Sequence, residues 1–382
     1  MTANGFEELE SALRGEGPQA GLDLLARQFL DQKNYRGWFE ARLLGRRHEL
    51  GLPLIQEGSL EDIPAGQRRD YEETFIEAAR ETGSLFLADG NIPAAWPYFR
   101  AVGDTGPVAA AIEKVEAGEG IEPVIEIAFL EGVHPAKGFQ LLLAHYGTCR
   151  AISSFEQYPA RQGRDDCARL LVRTIHGELV ERIKAAILEA EGQAPETRSL
   201  TELMAGRDWL FGEYSYYVDT SHVMSVIRFS AELDDPETLR LAIELTDYGR
   251  RLSSNFQYKG DPPFENIALD YGVYLRALLG EDPDGAVAHF RRKVEESDPE
   301  QIGTAPAQVL VGLLAHLGRY SEAIDLSLER LGSADPARLA CPSVYALCQM
   351  AGDFERLKQV AREREDLLTF TAGALGTADE RR

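Results

Sequence analysis

Apolar residues recur at intervals of three and four along almost the whole chain, while alternating runs rich in Val, Ile and Thr are scarce. A repeat near 3.6 residues is the mark of helices with one buried face, so the expected fold class is all-α. The clearest case lies between Asp165 and Glu191, where Leu171, Ile175, Leu179, Ile183 and Ile187 recur every four residues with Arg173, Glu181, Arg182 and Lys184 between them. Asp165 and Asp166 suit the start of that helix and Gly192 suits its end. Breakers at Gly15 to Pro18, Gly51 to Pro53 and Ile63 to Gly66 divide the first stretch into helix pairs, and Asp104 to Pro107 forms a joint with the next segment. Three segments result: helical hairpins over 1–106, a central helical segment over 107–275 with irregular connections at Gly192 to Ser199 and Gly260 to Pro263, and a repetitive segment over 276–382. Arg364 to Arg382 reads as a last helix and a polar tail.

In the last segment Gly318-Arg-Tyr320-Ser-Glu-Ala323 recurs as Gly352-Asp-Phe354-Glu-Arg-Leu357, a spacing of 34 residues. A glycine at such a point serves a tight junction between antiparallel helices, the aromatic packs against the hairpin, and the small residue lets the next helix approach. Weaker copies begin at Gly280, with Ala286, Phe290 and Pro299, and at Gly90, with Ile92, Ala95 and Phe99. On these residues the chain resembles tetratricopeptide repeats over 276–382 and in a patch at 80–105. It departs from that pattern at Ser327, where an aromatic is usual, and lacks the tryptophan that starts such repeats. The resemblance implies an α–α superhelix of antiparallel hairpins, a solenoid with an irregular central segment, whose concave face docks a partner protein or peptide.

With 382 residues the chain exceeds one small core, which suits either several domains or an elongated helix stack. Acidic residues outnumber basic ones by 63 to 40, and the net charge of −23 repels phosphate backbones and anionic lipid headgroups. Nucleic acid and membrane are therefore not expected partners; the charge reads first as a means of solubility, with the drawing in of a basic peptide or a metal cation as the alternative. The cysteines at 149, 167, 341 and 348 form no CxxC pair, which predicts reduced thiols. No signal sequence or membrane-spanning stretch is evident, so the expected location is cytoplasmic.

Complete catalytic signatures are lacking: there is no Walker A loop, no GxSxG, no HExxH and no zinc-ribbon pattern. Gly15-Glu-Gly17 reads as a turn, and His176-Gly-Glu178 is half of a zinc-deaminase signature without its PCxxC half. Four of the seven histidines, His134, His145, His176 and His222, fall in the central segment. His145 shares a predicted helix face with Phe139, Leu142 and Cys149, and His176 borders the Val172, Ile175, Leu179 stripe. His222 comes three residues after Asp219, a spacing that offers a nitrogen and an oxygen to one point at a helix start.

Imidazole and carboxylate ligands suit Zn²⁺, Fe²⁺ or Mn²⁺, so His145, His176 and His222 are candidate metal ligands, with Asp219 as a fourth ligand or base. The competing reading makes each histidine a hydrogen-bonded core residue and Asp219 a helix cap. Trp209-Leu-Phe-Gly-Glu-Tyr-Ser-Tyr-Tyr217 reads either as an amphipathic segment packed between helices or as a pocket wall, with Trp209 and Phe211 excluding water and Tyr214, Tyr216 and Tyr217 orienting a ligand, Tyr217 joining Asp219 in any catalytic role. In the proline-held loop Asn255 to Asn266, Tyr258, Asp261 and Glu265 are further pocket candidates, with Asp270 just beyond as another carboxylate. Two functions are compatible with these residues: a helical-repeat protein that binds a partner protein or peptide, and a metal-dependent hydrolase or oxygenase built on the central segment. The oligomeric state is left open by either.

Overall fold

In the computed structural model the described residues are 3–55, 63–159, 162–332, 334–335 and 338–379; the tail expected after the last helix falls at 380–382, outside them. They form twenty α-helices. The single extended pairing among them is an isolated antiparallel bridge between Lys259 and Asn266, so the all-α expectation holds. The chain divides into two compact units, Met1–Cys167 and Ala168–Arg382. This boundary differs from the three segments expected from the sequence.

The first unit contains α1 (Ala3–Gly15), α2 (Pro18–Asp31), α3 (Tyr35–Glu49), α4 (Ala65–Ala88), α5 (Ile92–Ala101), α6 (Gly106–Ile112), α7 (Glu122–Ile125) and α8 (Pro135–Gln157). Each helix from α1 to α5 packs against the next. The turns have local causes. Gly17 adopts a φ of 100° before Pro18 opens α2, and the side chains of Asn34 and Asn91 cap α3 and α5 by accepting from the amides of Gly37 (2.9 Å) and Ala94 (3.1 Å). In the α4–α5 hairpin the buried Phe99 ring lies over Gly83, where a Cβ would come within 2.5 Å of it. A side chain at 83 would therefore push the two helices apart. Phe39, Leu43, Tyr71, Ala78 and Ala79 form the adjoining core.

The second unit begins inside α9 (Arg164–Glu191) and continues with α10 (Leu200–Met204), α11 (Thr220–Phe229), α12 (Pro236–Arg251), α13 (Ile267–Leu278), α14 (Pro283–Glu296), α15 (Pro299–Ile302), α16 (Ala305–His316), α17 (Tyr320–Leu331), α18 (Val344–Ala351), α19 (Phe354–Glu363) and α20 (Leu367–Asp379). Leu171, Ile175, Leu179, Ile183 and Ile187 are all fully buried, as their spacing predicts. Gly318 and Gly352 take φ values of 71° and 68°, the left-handed conformation that glycine adopts without steric penalty. They sit at the bends between α16 and α17 and between α18 and α19, pairs that pack against each other. Ala323 and Leu357, which occupy the same step of the repeat, are both buried. Phe290, Leu310, Leu314, Ile324, Leu347 and Val360 join these hairpins in one apolar cluster. Among the described residues no helix is long and apolar enough to cross a membrane.

Candidate functional site

Two of the candidate metal ligands, His145 and His176, each have a local carboxylate partner. In the first unit, His145 Nε2 lies 3.4 Å from Glu122 and its ring meets the edge of Tyr146. The face expected to join His145 to Cys149 is interrupted, because Gly147 has φ 80° and ψ 177° and kinks α8 between them. Residues on either side of such a break do not share a helical face. In the second unit, His176 Nε2 donates to Glu244 on α12 (2.7 Å). Asp219 caps α11, accepting from the Ser221 amide (2.9 Å) and hydroxyl (2.6 Å). The Ser221 hydroxyl outweighs the opposing effect of burial and holds the Asp219 carboxyl below its ordinary range. Among the described residues no three His, Cys, Asp or Glu side chains are gathered so as to hold a metal ion.

Glu244 was not singled out by the sequence, yet it ties three helices together. Besides His176 it accepts from the Ser199 hydroxyl and from the amides of Leu200 (3.1 Å) and Thr201 (3.4 Å) at the start of α10. Burial pushes its carboxyl up, but the hydrogen bonds from His176, Ser199 and Leu200 outweigh it and bring the pKa down to about 2. Ser199 and Ser221 both donate to carboxylates rather than to a histidine, so neither is arranged as an activated nucleophile.

The two irregular aromatic connections of this unit lie together. The stretch 205–219 joins α10 to α11, and 252–266 joins α12 to α13. Between them, Ser253 donates to the Glu213 carbonyl (2.8 Å) and the Tyr217 amide donates to the hydroxyl of buried Tyr248 (3.1 Å). Arg251, at the end of α12, donates to the Met204 carbonyl (2.9 Å), pairs with Asp208 and lies 4.1 Å over the Phe211 ring. The Tyr216 and Phe256 rings meet edge to face at 5.0 Å, and the hydroxyls of Thr220 and Tyr258 lie 3.4 Å apart. Burial raises the pKa of the half-buried Tyr217.

On this frame Leu210 and Val218 point inward, while Trp209, Tyr214, Tyr216 and Tyr258 stand out with 47%, 75%, 54% and 47% of their surface exposed. The rings expected to close a pocket thus lie on an open face. Trp209 donates to Glu191, whose carboxyl is held below its ordinary range chiefly by Arg207, at 2.7 and 3.0 Å. The Tyr214 and Tyr216 hydroxyls have no hydrogen-bond partner among the described residues.

The second connection also forms the wall of a cleft of about 760 Å³, lined by Pro262, Glu265, Asp270, His289, Arg292 and Glu296 among others. Phe264 anchors this wall by stacking on Tyr271 at 3.9 Å, and the Asp261 carbonyl accepts from the Phe264 amide (2.8 Å) while its side chain stays exposed. Beneath it Asp270, 1% exposed, accepts from His289 Nε2 (2.8 Å), Lys293 Nζ (2.8 Å) and the Asn266 amide (2.9 Å). Lys293 also binds Glu265; burial pushes the Glu265 carboxyl up, but this bond, a backbone hydrogen bond and the nearby charges of Lys293 and His289 together keep the group below its ordinary range. A buried carboxylate with three donors is fully satisfied. Glu265 of the loop and Asp270 just beyond it thus meet Lys293 and His289 of α14. Lys293 and His289 are invisible to sequence reasoning because nothing in an amphipathic helix distinguishes a lysine or histidine that meets a carboxylate from another helix.

No family model matches the chain, nor does any curated protein or solved structure.

Proposed function

We propose that the chain is a helical-repeat protein that binds a partner protein or peptide, with its docking face on the paired connections 205–219 and 252–266. The observation that carries this reading is the exposure of Trp209, Tyr214, Tyr216 and Tyr258 on a frame braced by the hydrogen bonds of Tyr217 to Tyr248 and of Ser253 to Glu213. Large rings left in water contribute little to the fold, and Tyr and Trp are the residues that dominate binding energy once an interface covers them. Because the frame is already ordered, little entropy is lost when a partner seats on it. The hairpins around Gly318 and Gly352 support the tetratricopeptide-like part of the reading, in which stacked helix pairs form a solenoid. Four free cysteines suit a reducing, cytoplasmic setting.

A metal-dependent enzyme has less support, since His176 and Asp219 are engaged by Glu244 and Ser221. The experiment is a selection of displayed random peptides on the full chain, with counter-selection on the Tyr214→Ala/Tyr216→Ala variant. Sequences that bind the parent and not the variant are expected. Absence of any enriched family, or equal binding to both proteins, overturns the proposal.

A further inference from the structure

We infer that the aromatic face takes a proline-rich segment in the polyproline II conformation that carries at least one lysine or arginine; this rests on the partner-binding reading above. Three features select that chemistry. The Tyr214 and Tyr216 hydroxyls are exposed and unpartnered among the described residues, and a polyproline II chain has no internal hydrogen bonds, so its carbonyls are free to accept from them. Flat exposed rings pack against pyrrolidine rings, and a segment that is already extended loses little entropy on docking. Finally, the stretch from Asp208 to Asp219 carries Asp208, Glu213 and Asp219 and no basic residue, and the side chain of Asp261 is also exposed. Arg207, directly before this stretch, is paired with Glu191, and Arg251 is taken up by Asp208 and the Phe211 ring, while Lys259 beside Tyr258 stands exposed.

Exposed rings also stack nucleic-acid bases, but phosphates would meet those carboxylates in a chain of net charge −23. The charge thus selects a cationic peptide.

The probe is a synthetic proline-rich peptide with two arginines, titrated against the full chain while tryptophan emission is followed. Trp38 and Trp96 are each 7% exposed, so Trp209 carries the response. A saturable shift is expected. Affinity should fall roughly tenfold or more in Tyr216→Ala, equivalent to about 1.4 kcal/mol, and by a similar factor when glutamate replaces the arginines. Tyr216→Phe, which keeps the ring, should lose less than Tyr216→Ala. The inference is overturned if an alanine-for-proline peptide binds equally well, or if a single-stranded oligonucleotide competes at Tyr216. Should displayed peptides without proline still require Tyr214 and Tyr216, this inference falls while the docking reading stands; should no peptide require them, both fall.

Discussion

Nε2 of His176 and Oε2 of Glu244 lie 2.7 Å apart, on helices whose contributing residues are 68 positions apart in sequence, and both side chains are largely covered. The pair joins α9 to α12, and the same carboxylate holds the start of α10 through Leu200 and Thr201. α10 leads straight into the aromatic stretch 205–219, so this contact fixes the helix from which that stretch departs.

The pairing makes stability depend on acid. Glu244 has a folded pKa of about 2 against an ordinary 4.5, so its contribution is complete above the unfolded value and is lost as pH falls from about 4.5 through about 2. The depression corresponds to about 3 kcal/mol. Urea denaturation of Glu244→Gln should show a deficit of that order at pH 7 that shrinks toward pH 3. A deficit independent of pH would show that the carboxylate's charge is not what matters.

Phe99 over Gly83 is a second testable contact. Gly83→Val should destabilise the first unit by about 1–3 kcal/mol through overpacking, and Phe99→Ala by about 3–5 kcal/mol through the cavity it leaves. In the double variant the two effects should fall short of additivity, because the valine would occupy part of the vacated space. Thermal denaturation of the four proteins checks this, and strict additivity would mean that the side chains do not meet.

Removing the buried anion beneath the cleft should be costly. Asp270→Ala leaves His289 and Lys293 without their shared acceptor, and the expected loss is about 3–5 kcal/mol. Lys293→Met in the same background should recover part of it. Equal or greater destabilisation in the double variant would contradict the network.

Much of the fold was legible because helices are local objects. The stripe from Leu171 to Ile187 needed only its own spacing, and Gly318 and Gly352 announced their bends because a left-handed backbone suits glycine. Periodicity misses Gly147, since a lone glycine inside an apolar pattern does not reveal that its φ is 80°, and so spacing alone puts His145 and Cys149 on one face. The site was half legible. Composition marked 209–217 and 255–266 as aromatic and irregular, but whether a ring points in or out depends on what packs behind it, here Tyr248, Ser253 and Arg251. The carboxylate partners of His176 and His289 come from other helices, and no spacing rule connects residues across a packed interface.

Electrostatics of the proposed docking face should be visible in salt. With Glu213, Asp219 and Asp261 at the surface, affinity for an arginine-bearing peptide should weaken between about 0.1 M and 1 M salt, as the screening length falls from about 10 Å to about 3 Å. Calorimetric titration at both ionic strengths measures it; unchanged affinity would leave the acidic residues without a part in recognition.

The most direct test of the account compares stability and binding in one protein, the Tyr214→Ala/Tyr216→Ala variant. Rings that stand out to receive a partner should leave the denaturation midpoint within about 0.5 kcal/mol of the parent while peptide binding is lost. A drop of several kcal/mol in stability would make them part of the core, and retained binding would place recognition elsewhere.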